Sequence, residues 1–140
     1  MLAVARDAAV GVDVERLNAR RDFAALVPAV LSAAEQPAIA ALPDGERAAA
    51  VLRYWTRKEA LLKATGDGLR VAPAALTVTP PDAPPALVAW EATAPLAAAA
   101  HLFDLSPGSG HVASLAVLGP RLGVVERDGD ALLAALSSAG

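Results

Sequence analysis

Apolar and other residues alternate from Val10 to Glu15. Val10, Val12 and Val14 would share one face of a strand, and Gly11, Asp13 and Glu15 the other. This alternation predicts a strand over Ala9–Glu15. A shorter strand over Leu2–Ala5 would precede it, joined by a turn around Arg6–Ala8. The polar stretch Arg16–Arg21 reads as a loop. Over Phe23–Ala34, Leu26, Val27, Val30 and Leu31 recur at helical spacing. Ser32 and Glu35 then form a capping-box pattern ahead of a short helix, Ala33–Leu42, with Pro37 in its first turns. Pro43-Asp44-Gly45 interrupts the pattern, and Asp44 is suited to cap the next helix.

That next helix is the strongest element of the chain. Gly45–Thr65 contains no proline and is rich in helix formers, and Gly66 and Gly68 end it. Leu52, Trp55, Glu59 and Leu62 line up on one side of this helix, so a carboxylate stands in an otherwise apolar stripe. Strand patterns dominate thereafter: Ala75–Thr79, Ala86–Glu91, Ala98–Leu105 and His111–Leu118. The rigid PPDAPP segment (Pro80–Pro85) separates the first two, and Ser106–Gly110 gives the last two a hairpin loop. A terminal helix is expected over Gly129–Ser138, with Asp128-Gly-Asp130 as its capping turn. No repeat or linker divides the chain.

Composition narrows the function classes. A chain of 140 residues is long enough for one domain with a core. With 55% apolar and 19% charged residues it is not a disordered chain. The net charge of −3 offers no broad basic field for nucleic acid or anionic lipid. The absence of cysteine excludes disulfides, thiolate metal sites and a cysteine nucleophile. No apolar run reaches membrane-spanning length, and the N-terminus lacks the layout of a signal peptide. A cytoplasmic location is the expectation.

The candidate chemistry lies in two places. Asp13 and Glu15 on one strand face repel each other unless a cation or proton compensates. Their hard oxygens suit Mg²⁺, Ca²⁺ or Mn²⁺, whereas on an edge strand both could simply face water. The second place is the long helix. Glu59 and Lys63, at i and i+4, read either as a surface ion pair or as part of a cleft. An inward Glu59 would need a partner, which a metal shared with Asp13 and Glu15 supplies. Lys58 and Lys63 could flank a phosphate, and Gly66 and Gly68 permit close backbone approach of a ligand.

Gly11-Val-Asp13-Val-Glu15, followed by Trp55, Lys58-Glu59-Ala60, Lys63, Gly66 and Gly68-Leu69, resembles the signatures of the 4′-phosphopantetheinyl transferases. The surfactin-synthetase-activating type, built of two similar halves, is the most similar class, and the resemblance is to its C-terminal half. The resemblance implies an α+β half-fold over residues 1–120, an antiparallel sheet packed on a long helix and shorter ones. Residues 121–140 would be a tail, helical in part. It implies transfer of the phosphopantetheine arm of coenzyme A to a serine of an acyl or peptidyl carrier protein. Asp13, Glu15 and Glu59 would hold Mg²⁺ or Mn²⁺ against the diphosphate. Glu59 would take the serine proton, directly or through water, and Lys63 would serve the leaving group. Lys58 would contact coenzyme A phosphates, with Gly66 and Gly68 near the cofactor. Glu35 corresponds to a further acid of the class, and its capping role is an equally good reading.

The chain departs from that class ahead of Gly11. The basic residues and Ser-His-Ser stretch of a first half are not present, so Met1 falls in mid-domain. A lone half would expose the apolar face that a second half covers, and self-association is expected. Other readings of the same residues are a non-catalytic binder of coenzyme A or carrier protein, and an inactive remnant.

Overall fold

The computed structural model describes residues 1–18, 22–68, 70–90 and 99–137. Arg20 and Arg21, Leu69, Glu91, Ala98 and Ser138, each part of an expected element or motif, lie outside the described residues. The alternating segment forms strand β1 (Ala9–Arg16). Leu2–Ala5 is not a strand. Arg6–Ala8 is accordingly a bend ahead of β1 rather than a turn between two strands, with Asp7 in the left-handed region at φ 58°.

Helix α1 (Phe23–Val30) is capped by Asp22, whose side chain accepts from the Ala25 amide at 3.1 Å. It ends earlier than its apolar spacing suggests. The Ser32 amide is taken by Glu35 Oε2 at 2.8 Å, which turns the chain away from the helix axis. This is one arm of the expected capping box. The other is missing because the Ser32 hydroxyl accepts from Thr77 Oγ1 instead, at 3.0 Å. Helix α2 (Gln36–Ala40) is correspondingly short.

Helix α3 (Asp44–Thr65) runs one residue further than expected at its start. Asp44 is inside the helix, paired with Arg47 at 2.7 Å rather than capping it. A carboxylate in the first turn still suits the helix dipole. Gly66 ends α3 at φ 79°, with the Asp67 amide on the Leu62 carbonyl at 3.0 Å and the Gly66 amide on that of Lys63 at 3.3 Å. That pair of bonds is a Schellman motif, which needs the left-handed residue glycine supplies.

The second half pairs β2 (Leu76–Val78) with β3 (Leu87–Trp90) as an antiparallel ribbon. Strands β4 (Ala100–Leu105) and β5 (His111–Leu118) form the expected hairpin. β1 joins it on the other edge of β5, giving an antiparallel sheet ordered β1-β5-β4. The terminal helix α4 (Gly129–Ser137) starts on Asp128, whose side chain accepts from the Asp130 amide at 2.9 Å.

α3 lies against the sheet, and the core fills the space among α3, the shorter helices and both ribbons. Val30, Ile39, Tyr54, Leu61, Leu76 and Trp90 are among its buried members. The α+β arrangement therefore agrees with expectation. The Gly11–Asp13–Glu15 face of β1 is the one turned towards α3. A β-carbon on Gly11 would lie 2.1 Å from the Ala60 carbonyl oxygen, so only glycine lets the two backbones meet. Val10, Val12 and Val14 turn the other way and are partly buried.

Candidate functional site at the β1–α3 contact

The close approach at Gly11 sets Asp13 beside the last turns of α3. Lys63 Nζ meets Asp13 Oδ1 at 2.7 Å and the Val12 carbonyl at 3.3 Å. The Asp13 side chain is 10% exposed and that of Lys63 48%. Asp13 Oδ2 is buried and has no hydrogen-bond partner. Such an atom is costly to leave unsatisfied, and it marks a place where a further positive or donating group belongs.

Glu59 is half-buried one turn before Lys63. Its carboxyl titrates above the usual carboxylate range. Burial is the main cause, the negative charge of Asp13 the next, and Glu15 adds to it, while Lys63 opposes. Asp13 and Glu15, the other two acids named from the sequence, therefore both act electrostatically on Glu59. In this arrangement, among the described residues, no three carboxylate or imidazole groups converge closely enough to cage an ion. Lys63 supplies the counter-charge at Asp13. The donor chemistry nonetheless fits a hard divalent cation: carboxylate oxygens only, one of them orphaned, on a face whose acids repel one another.

The neighbouring lysine is placed differently from expectation. Lys58 is fully buried, so as placed it reaches no cofactor phosphate. Its ammonium binds Glu35 Oε2 at 2.5 Å and the Val30 carbonyl at 2.7 Å. Glu35, 3% exposed, also accepts from the amides of Ser32 and Val78, each at 2.8 Å. The pair ties α3 to the α1–α2 connection and to β2. Burial pulls the Lys58 pKa down, and the Glu35 charge opposes this. The Glu35 charge and, above all, burial raise the Tyr54 phenol. Glu35 is thus a structural acid here, away from solvent, rather than one presented to a substrate. Gly68 has neither a left-handed φ nor a crowded α-carbon, so among the two glycines only Gly66 has a conformational reason to be one.

The sequence reading missed a second ion-pair centre. Asp13, Ser114 and Asp104 lie in register across the sheet. Ser114 Oγ is 2.9 Å from Thr56 Oγ1 and 3.3 Å from Asp104 Oδ1. Arg57, fully buried, places Nε and Nη2 on the two oxygens of Asp104 at 3.1 and 2.7 Å. Its Nη1 donates to the carbonyls of Thr79 and Pro80 at 2.7 and 2.8 Å, and Nη2 to that of Ala83 at 3.2 Å. The guanidinium thereby fixes the proline-rich β2–β3 loop. α3 thus sets Arg57, with Arg53 at 3.7 Å, against Asp104 and Lys63 against Asp13 at the two ends of one sheet row, with Glu59 between Arg57 and Lys63 in sequence. Asp104, a lone acid in an apolar strand, was the only signal in the sequence for the second pair.

Comparison with known proteins agrees with this fold. The family model described as "4′-phosphopantetheinyl transferase superfamily" matches residues 9–116. The 4′-phosphopantetheinyl transferase HetI of a Nostoc species is 35% identical over 113 residues, which are 79% of this chain and 44% of HetI. The chain therefore spans less than half the length of that relative. Among solved structures, holo-[acyl-carrier-protein] synthase of Thermotoga maritima superposes with a TM-score of 0.57 at 20% identity, over 90% of this chain and 73% of that one. The holo-ACP-synthase of Plasmodium yoelii gives 0.56 at 17% identity, over 81% and 95%. At these identities the two structures speak for the fold.

Proposed function

The chain belongs to the 4′-phosphopantetheinyl transferase superfamily, and on that premise we propose that it transfers the phosphopantetheine arm of coenzyme A to a serine of an apo carrier protein. The serine oxygen attacks the phosphorus on the pantetheine side of the diphosphate. The phosphorus–oxygen bond to 3′,5′-ADP breaks, and the serine proton passes to a base. Glu59 suits that base, since burial and its acidic neighbours raise its proton affinity. Lys63, half-exposed beside it, can place its ammonium on a phosphate oxygen of the leaving group. Asp13, Glu15 and Glu59 would hold Mg²⁺ or Mn²⁺, which when bound neutralises charge on the diphosphate.

The orphaned Oδ2 of Asp13, in a superfamily member, is the observation that carries this reading. Lys58 and Glu35 enter it as the pin that holds α3, not as groups that touch coenzyme A. The full Trp55–Gly68 signature favours the surfactin-synthetase-activating branch, whose carrier domains serve secondary metabolism. The basic groups for the remainder of coenzyme A would come from an upstream half or from a second copy of this chain.

The test is to incubate the protein with coenzyme A, Mg²⁺ and an apo carrier protein and to weigh the carrier. The expected result is one phosphopantetheine group on serine, from the chain alone or after fusion behind the first half of a longer relative. No gain in either form would refute the proposal. Coenzyme A binding without transfer would make the chain a binding module.

A further inference from the structure

Lys63 and the proposed cation compete for the same carboxylate. The Asp13 carboxylate is nearly buried and fixed by β1. One of its oxygens is held by Lys63, and the other has no partner. The backbone at Lys63 is fixed as well, because its β-carbon would stand only 2.9 Å from a β-carbon placed on Gly11. The ammonium is different: it sits on a flexible stem, half in solvent, on partners that include one longer contact at 3.3 Å. A divalent ion on the Asp13 carboxylate would stand within a few ångströms of that ammonium, where like charges repel strongly.

Resting on the function proposed above, we propose that Lys63 is the resident counter-ion of Asp13 and that a divalent cation binds by displacing it. The exchange keeps Asp13 compensated in both states. It also releases an ammonium with three donors at the mouth of the site only when the ion is present. Lys63 is thereby freed from Asp13 for a phosphate once the cation has arrived.

The experiment uses Mn²⁺ alone, on protein stripped with a chelator, with free Mn²⁺ read by electron paramagnetic resonance. Lys63→Met removes the competitor and should bind Mn²⁺ on the order of fivefold more tightly than wild type, as expected for losing one partly exposed ion pair. Lys63→Arg keeps the charge and should bind close to wild type. A second readout needs no variant. The chain has two lysines, Lys58 and Lys63, so amine acylation followed by mass spectrometry has a built-in control. Mn²⁺ should raise labelling at Lys63 and leave buried Lys58 unlabelled. Equal affinities for wild type and Lys63→Met, or unchanged labelling of Lys63, would overturn the displacement while leaving the carboxylate site standing. Absence of Mn²⁺ binding to every form would overturn both.

Discussion

Gly11 and Ala60 are in backbone contact across the β1–α3 interface. A β-carbon on Gly11 would stand 2.1 Å from the Ala60 carbonyl oxygen and 2.4 Å from the Ala64 amide nitrogen. Both obstacles are helix backbone and cannot rotate aside. Gly11→Ala must therefore push β1 off α3, at a cost of about 1–3 kcal/mol or more. Urea unfolding should show this, and Mn²⁺ affinity should fall as Asp13 moves from Glu59. A variant as stable as wild type would mean that the two elements do not meet at this point.

Arg57 should not tolerate lysine. An ammonium cannot reproduce the fork on Asp104 while also serving the Thr79, Pro80 and Ala83 carbonyls. Arg57→Lys should destabilise by roughly 3 kcal/mol, as for disruption of a buried ion pair. Hydrogen exchange should speed up at the Ala83 amide, which bonds the Pro80 carbonyl at 3.0 Å. Unchanged exchange there would show that the loop holds itself.

Lys58→Met leaves Glu35 as a buried carboxylate without its cation, and a loss of about 3–5 kcal/mol is expected. Adding Glu35→Gln removes the stranded charge, so the double variant should be markedly less destabilised than the sum of the single ones. Glutamine has a single side-chain oxygen, so only one of the Ser32 and Val78 amides, which sit on Oε2 and Oε1 of Glu35, keeps its acceptor, and the double variant should stay less stable than wild type. Strict additivity in a denaturation cycle would argue against the pair.

Glu59 gives a pH signature. Its folded pKa is raised by burial, Asp13 and Glu15, so the folded chain holds the Glu59 proton more tightly than the unfolded chain. Stability from this group is present below the ordinary carboxylate pKa and is lost as pH rises through the raised value. Glu59→Gln should lack this decline and melt higher than wild type at neutral pH without divalent ions. Parallel melting curves for the two proteins from acid to neutral pH would contradict it.

The long helix, the hairpin and the acid-bearing strand were legible because each repeats a clear period or ends on glycine. The half-burial of Glu59 was legible because an acid stood in an apolar stripe, and the shared face of Asp13 and Glu15 because the strand alternates with period two. Lys58 and Arg57 were misjudged or missed for the converse reason. They occupy core positions of α3 beside Tyr54 and Leu61, and a basic residue in a helix reads as surface until its acid is known. Their acids, Glu35 and Asp104, lie 23 and 47 residues away in sequence. The strand expected at Leu2–Ala5 had the right residues, but among the described residues it has no ladder to join.

The most direct measurement is single-turnover transfer by wild type and Asp13→Asn, with coenzyme A, Mg²⁺ and an apo carrier protein, after both have been shown to melt alike. Should the chain need an upstream half, both are compared in that form. The carrier should gain one phosphopantetheine group with wild type and essentially none with Asp13→Asn. Equal transfer by the two proteins would contradict the assignment of the β1–α3 carboxylates as the working site.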